Sequence, residues 1–302
     1  MALQELSDAV RNALATTGSA VVAIGQDGRG SGLVIGDGRI VTNAHNLRDR
    51  TTQVTFADGR AVQAEALGID ADGDLAVLSV DTGGVTAPAW GDEPAGVGQW
   101  VLAISAGGLR GQRITAGLVS GTQRAFRGPR GRRVTGSIEH TSPMARGSSG
   151  GPLLDLAGRV VGLNTHRVER GFYLAVPADA DLRRRIDELA SGTAPVRRRL
   201  GVALAPREVG ARLRASVGLP PRDGLLVRAV ENESPAANAG IQRGDLLVRA
   251  GDRELGSPDD LYDALDAGPG SEPLALTVVR GVEELVVAVS FEPGAGPEEG
   301  KA

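Results

Sequence analysis

The chain has 302 residues, of which 41% are hydrophobic, so it can build real cores; this argues against global disorder and suits two or three domains of ordinary size. Aromatic residues supply only 3%, leaving Val, Leu, Ile and Ala to fill those cores. A formal net charge of −4 gives no overall attraction to nucleic acid or anionic membranes, and the absence of cysteine excludes disulfides, thiolate catalysis and Cys-based zinc sites.

In chain order, Leu3, Leu6, Val10 and Leu14 fall at helical spacing and predict an opening helix. The start reads as neither a basic leader with an apolar core nor a bilayer-spanning run of about 20 apolar residues, so the expectation is a soluble chain without a membrane span, cytoplasmic as written and periplasmic or exported if a leader was removed. Short β-like runs follow between Ser19 and Val80, with the pairs Asp37-Gly38 and Asp58-Gly59 placed as hairpin turns. A second set begins at "GQWVLAIS" and continues to "GFYLAVPA". Two successive groups of short strands predict a mostly β chain with a double β-barrel. "PADADLRRRIDELASG" predicts one helix, capped by Asp179 or Asp181 and ended by Gly192. From about Leu200 the pattern becomes strand, loop, strand, short helix, strand, helix, strand, with the helices at "PAANAG" and "SPDDLYDALDAG". The expected domains are an N-terminal extension over 1–18, a two-barrel domain over 19–192, a linker over 193–199, an α+β domain over 200–291 and a disordered tail over 292–302.

The chain has three histidines, His45, His140 and His166, so the search for a general base is short. His45 follows a β-rich run in "RIVTNAHNL", where a strand ends and presents a side chain at a domain edge, although a lone histidine there is more often structural. Asp74 heads the apolar run 75–80 and is costly there unless paired; an imidazole N–H is a suitable partner. Two other readings of that segment are a solvated turn of Asp70, Asp72 and Asp74, and a calcium loop. Leu75 stands where a calcium loop needs glycine, and the calcium reading is rejected. In "ARGSSGGPLLD", Ser149 completes the order His, Asp, Ser, and its hydroxyl becomes a nucleophile only when a base takes its proton. Gly147 lets its own N–H and that of Ser149 converge into an oxyanion hole, while Ser148 fills a turn position.

These residues carry a resemblance. "GRGSGLVIGDGRIVTNAHNL", "DADGDLAVL", "GQRITAGLVSG", "GSSGGPLLDLAGRVVGLNT" and "GFYLAVPAD", in that order, resemble the HtrA (Deg) family of chymotrypsin-like serine proteases with a C-terminal PDZ domain. The resemblance implies a chymotrypsin-like double β-barrel followed by a PDZ domain, with His45 as base, Asp74 as its orienting acid and Ser149 as nucleophile. It implies an ATP-independent endopeptidase for unfolded or damaged proteins, working without metal or cofactor and assembled as a homotrimer. The chain departs from the family pattern at Ser148, where the family has Asn, and in "EHTSPMARG", where the activation-loop residues differ. Pro143 lies six positions before Ser149, where relatives that cut after Lys or Arg carry an acid. With Leu174 it is assigned to the substrate pocket, and cleavage after small or medium aliphatic residues is expected.

"RRLGVAL" and the stretch from "GLLVRAV" to "LTVVRG" resemble a bacterial PDZ domain, a module that takes an extended peptide onto a strand edge. The resemblance assigns the carboxylate loop for peptide C-termini to Leu200, Gly201 and Val202, with Arg199 beside it. Leu261 and Leu265, four apart on one helix, line the groove or the core. Arginines concentrate between Arg124 and Arg133, but no aromatic platform accompanies them, so nucleic acid is not the expected partner. A solvated hairpin, or a loop engaging other subunits or acidic substrate, is the expectation there.

Overall fold

A computed structural model of the chain describes residues 3–26, 28–36, 38–107, 111–128, 133–169, 171–193, 198–267 and 272–291. The contacts divide the chain into two compact units, Met1–Pro195 and Val196–Ala302.

The first unit opens with helix α1 (Leu3–Thr17). Six strands then close a barrel: β1 (Val21–Ile24), β2 (Gly30–Gly36), β3 (Arg39–Thr42), β4 (Thr51–Thr55), β5 (Ala61–Asp70) and β6 (Leu75–Ser79), in the order β1-β2-β3-β6-β5-β4. Hairpin glycines turn the chain where expected, Gly38 at φ 70° and Gly59 at φ 89°. Strand β5 shows the period of two that a half-buried strand requires, with Ala64, Ala66 and Asp70 inside and Gln63 and Glu65 outside. Strand β1 is buried throughout and reads instead as a continuous apolar run.

A second closed barrel follows from β7 (Trp100–Ser105), β8 (Arg113–Arg127), β9 (Arg133–His140), β10 (Pro152–Leu154), β11 (Val160–Glu169) and β12 (Phe172–Pro177), ordered β10-β11-β12-β9-β8-β7. One continuous apolar cluster runs through both barrels, from Ile24 and Leu33 to Leu102, Ile104, Leu154 and Leu163. Helix α2 (Ala180–Ala190) is capped by Asp179, which accepts from the Leu182 amide at 2.9 Å. It buries Leu182, Ile186 and Leu189, the stripe expected of a helix with one face on a core.

The second unit orders β13 (Val202–Leu204), β14 (Leu225–Val230), β15 (Leu246–Ala250), β17 (Leu274–Arg280) and β18 (Glu283–Val289) into one sheet, with β16 (Arg253–Glu254) paired to β15. Its helices are α3 (Arg207–Ser216), α4 (Pro235–Asn238) and α5 (Pro258–Ala267). Helix α3 corrects the expectation of a loop between the first two strands. Its apolar residues stay largely outside, with Leu213 at 48% exposed and the following Val217 at 70%, so no strong amphipathic pattern announces it. The tail expected over 292–302 and residues 129–132 of the arginine stretch lie outside the described residues. Among the described residues no helix is long and apolar enough to cross a membrane.

His140 sits in the interior of the first unit, fully buried beside Tyr173, with ring centroids 5.9 Å apart. Neither ring nitrogen meets a hydrogen-bond partner in good geometry, and the same holds for the Oδ1 of Asn164. Burial pushes this imidazole from its ordinary 6.5 down to about 4, and the Asn164 side chain only partly opposes the shift. The unfolded chain therefore takes up a proton first as the pH falls. Stability contributed by neutral His140 is complete above about 6.5 and drains away down to about 4, for a total on the order of 3 kcal/mol. Urea midpoints at pH 7 and 4.5 should separate more in the parent protein than in His140→Phe.

Candidate active site

His45 lies on a single 3-10 turn, Ala44–Asn46, where β3 leaves the first barrel. Its Nδ1 stands 2.9 and 2.8 Å from the two carboxylate oxygens of Asp74, and its backbone N–H donates to Oδ1 at 3.1 Å. An ionised carboxylate only accepts, so the Nδ1 carries the proton and the Nε2 keeps a free lone pair. Asp74 is fully buried and adopts φ 54°, the left-handed region that aspartate tolerates better than most residues. Asn43 steadies that strained backbone by donating its Nδ2 to the Asp74 carbonyl at 2.9 Å. Asp70, also buried, accepts from the Gly73 amide at 2.8 Å and pairs with Arg185 at 3.1 Å, which fixes the turn leading into Asp74. The turn of aspartates is thus a scaffold rather than a solvated surface.

One contact of Asp74, and a second group behind it, were not legible in the sequence. Thr165, on β11 of the second barrel, donates its hydroxyl to Asp74 Oδ2 at 3.1 Å. Having spent its only proton there, the same oxygen accepts from His166 Nδ1, also 3.1 Å away. The His166 ring meets His45 edge-on at 5.5 Å and packs on Phe126 at 4.9 Å. Burial lowers the pKa of His166; Asp74 opposes the shift, and the charge of His45 adds to it. Neither the spacing nor the residue types of "GLNTH" announce these contacts, and only the meeting of the two barrels brings Thr165 to Asp74 and His166 to His45. Thr165→Val keeps the volume but removes a donor to a buried carboxylate. It should lower kcat about tenfold with little change in KM, and Thr165→Ser should restore it.

Ser149 occupies the loop before β10. Its carbonyl accepts from the Ser31 amide at 2.8 Å and from Asn46 Nδ2 at 2.9 Å, so the loop is tied to β2 and to the turn that carries His45. Close approach explains the glycine after it: a Cβ on Gly150 would lie 2.1 Å from the Ser31 carbonyl oxygen, and its φ is 87°. Gly147 adopts φ 85°, and its carbonyl accepts from Ser31 Oγ at 2.7 Å. Among the described residues the amides of Gly147 and Ser149 donate to no protein acceptor, as two free oxyanion donors would. The Ser149 hydroxyl itself donates to the Thr165 carbonyl at 2.6 Å, and no hydrogen bond joins it to His45 in this structure.

The assigned pocket residues stand in different surroundings. Pro143 is exposed, with its carbonyl held by Thr115 Oγ1 at 2.8 Å, whereas Leu174 is 1% exposed and belongs to the barrel core. In the second unit the amides of Leu200 and Gly201 donate to no acceptor among the described residues. Their carbonyls accept from Ala236 and Glu231 at 2.9 Å each, which holds the loop in place. Val202 begins β13, whose one hydrogen-bonded neighbour in the described sheet is β14. Arg199 is already paired with Glu231. Leu261 and Leu265 are buried in one cluster with Leu200.

Residues 30–163 match a trypsin-like peptidase domain and residues 226–280 a PDZ domain. The mitochondrial serine protease HTRA2 of Drosophila pseudoobscura pseudoobscura is 32% identical over 283 residues, and that of Drosophila virilis is 32% identical over 284. In both cases the match covers 87% of this chain but only 66% of the relative, so the chain spans just under two thirds of their length. Among solved structures, an HtrA-type protease AlgW with decapeptide aligns with TM-score 0.64 at 23% identity, covering 95% of this chain and 99% of that one. A serine endoprotease from Yersinia pestis gives TM-score 0.64 at 24% identity, with 93% and 96% covered. With the two domains matched in this order and relatives at this identity along most of its length, the chain belongs to the HtrA family of serine proteases.

Proposed function

We propose that the chain is an ATP-independent serine endopeptidase that hydrolyses peptide bonds of unfolded or damaged proteins. The observation that carries this reading is the buried Asp74 carboxylate clamped on His45 Nδ1 at the seam where the Ser149 loop is bound. In the proposed reaction the Ser149 hydroxyl leaves the Thr165 carbonyl and donates instead to Nε2 of His45, whose Nδ1 is held by Asp74. The base then takes its proton as the oxygen attacks the substrate carbonyl, and the charge formed falls to the Gly147 and Ser149 amides. His45 returns the proton to the leaving amine, and water releases the acyl group by the same route in reverse. Fluorophosphonate labelling tests this directly. One adduct on Ser149 is expected in the parent protein and none in His45→Ala; equal labelling of both, or of neither, sinks the reading.

The second unit is proposed to bind peptide C-termini, with the Leu200 and Gly201 amides holding the carboxylate and β13 pairing with the chain. Family resemblance supports a homotrimer, which light scattering would check. One observation favours a second reading, a peptide-binding chaperone with low turnover: the Ser149 proton goes to Thr165 rather than to His45. Protection of an aggregating client by both parent and Ser149→Ala proteins, without cleavage by either, would favour it.

A further inference from the structure

A groove of about 760 Å³ opens beside Gly147, bordered by Gly28, Arg29, Arg48, Asp49 and Arg146. It adjoins the loop proposed to hold the oxyanion: the Gly28 carbonyl oxygen would lie 2.5 Å from a Cβ placed on Gly147. The walls other than Gly107, Arg146 and Gly147 come from the first barrel and the segment just after His45. Pro143, assigned to the substrate pocket, and the Thr165 carbonyl that Ser149 now touches both belong to the second barrel. A polypeptide lying across Ser149 therefore runs from the second barrel into this groove as it passes the scissile bond. The groove receives the residues on the leaving-group side.

Its charge comes from three arginines brought to one groove. Arg29, Arg48 and Arg146 are exposed, and among the described residues none of them makes an ion pair, whereas Arg159, Arg184, Arg185, Arg199 and Arg280 are all spent on carboxylates. Asp49 is the one acid described along the groove, and no ion pair joins it to the three arginines. Three guanidinium groups facing one open channel make a positive field in a protein whose formal charge is −4. The arginine fork accepts a carboxylate through two parallel hydrogen bonds and has no such match in a neutral amide.

We infer that this groove is a specificity subsite for acidic side chains, Asp or Glu, two to four positions beyond the scissile bond. The inference rests on the endopeptidase reading and names its substrate class. Each exposed contact is weak alone, so the preference is a summed effect: about tenfold in kcat/KM for a peptide with two acids over its amide counterpart at low ionic strength, shrinking with added salt.

The test uses quenched fluorescent peptides identical up to the cleaved bond, carrying Asp-Glu, Asn-Gln or Lys-Lys after it. The expected order is acidic, amide, basic, and Arg29→Gln/Arg48→Gln/Arg146→Gln should bring the acidic-to-amide ratio to about one. Equal cleavage of all three by the parent protein, or an acidic preference that survives the triple variant, would overturn the inference. Binding of the same peptides to the Ser149→Ala protein by fluorescence anisotropy separates the two claims. If no peptide is cut, the endopeptidase reading fails; tighter binding of the acidic peptide, lost with the three arginines, would still support the groove, and equal binding would reject it.

Discussion

Ser149→Ala should abolish digestion of unfolded casein, with kcat falling by about 10⁴ to 10⁶ while the fold is kept. Little in the structure depends on the hydroxyl. Its one hydrogen bond runs to the Thr165 carbonyl, whereas the loop is held by backbone: the Ser149 carbonyl to Ser31 and Asn46, and the Gly150 amide to Asn164 at 2.7 Å. Circular dichroism and the unfolding midpoint should therefore match those of the parent. Equal digestion by parent and variant would identify a contaminating protease, and the proposed chemistry would lose its support.

Asp74→Asn should be nearly as severe, at about 10⁴-fold in kcat, with KM little changed. The carboxylate accepts from His45 Nδ1, from the His45 backbone amide and from Thr165 Oγ1, all within 3.1 Å. An amide in its place turns two donor hydrogens toward groups that are themselves donors. The imidazole then protonates on the other nitrogen, and the lone pair that should face Ser149 disappears. Stopped-assay kinetics on a single peptide substrate would separate kcat from KM. A variant with full turnover would mean that Asp74 is structural and that His45 needs no orienting acid.

The three candidate residues were legible because each is announced locally. His45 ends a strand, Asp74 is a charge set against an apolar run, and Ser149 stands among glycines that a turn alone does not require. The parts that position them were not. Thr165 reaches Asp74 across 91 residues of sequence, and Ser31 reaches Gly147 across 116. Both lie in segments that carry the resemblance, yet neither residue type nor spacing gives these contacts, which arise only when the barrels meet. Helix α3 was missed for a different reason: Leu213 and the following Val217 face water, and the helix rests on its core through Val209, Gly210 and the buried Arg214 rather than through an apolar stripe.

The grip on Ser149 has a mechanical consequence. The chain delivers this residue from the second barrel, yet its carbonyl is fastened to Ser31 and Asn46 of the first. With no cysteine anywhere, no disulfide holds that junction shut. Slight parting of the two halves thus silences the centre while each half keeps its strands. Turnover becomes a gauge of their docking, fading during denaturation ahead of any loss of β signal.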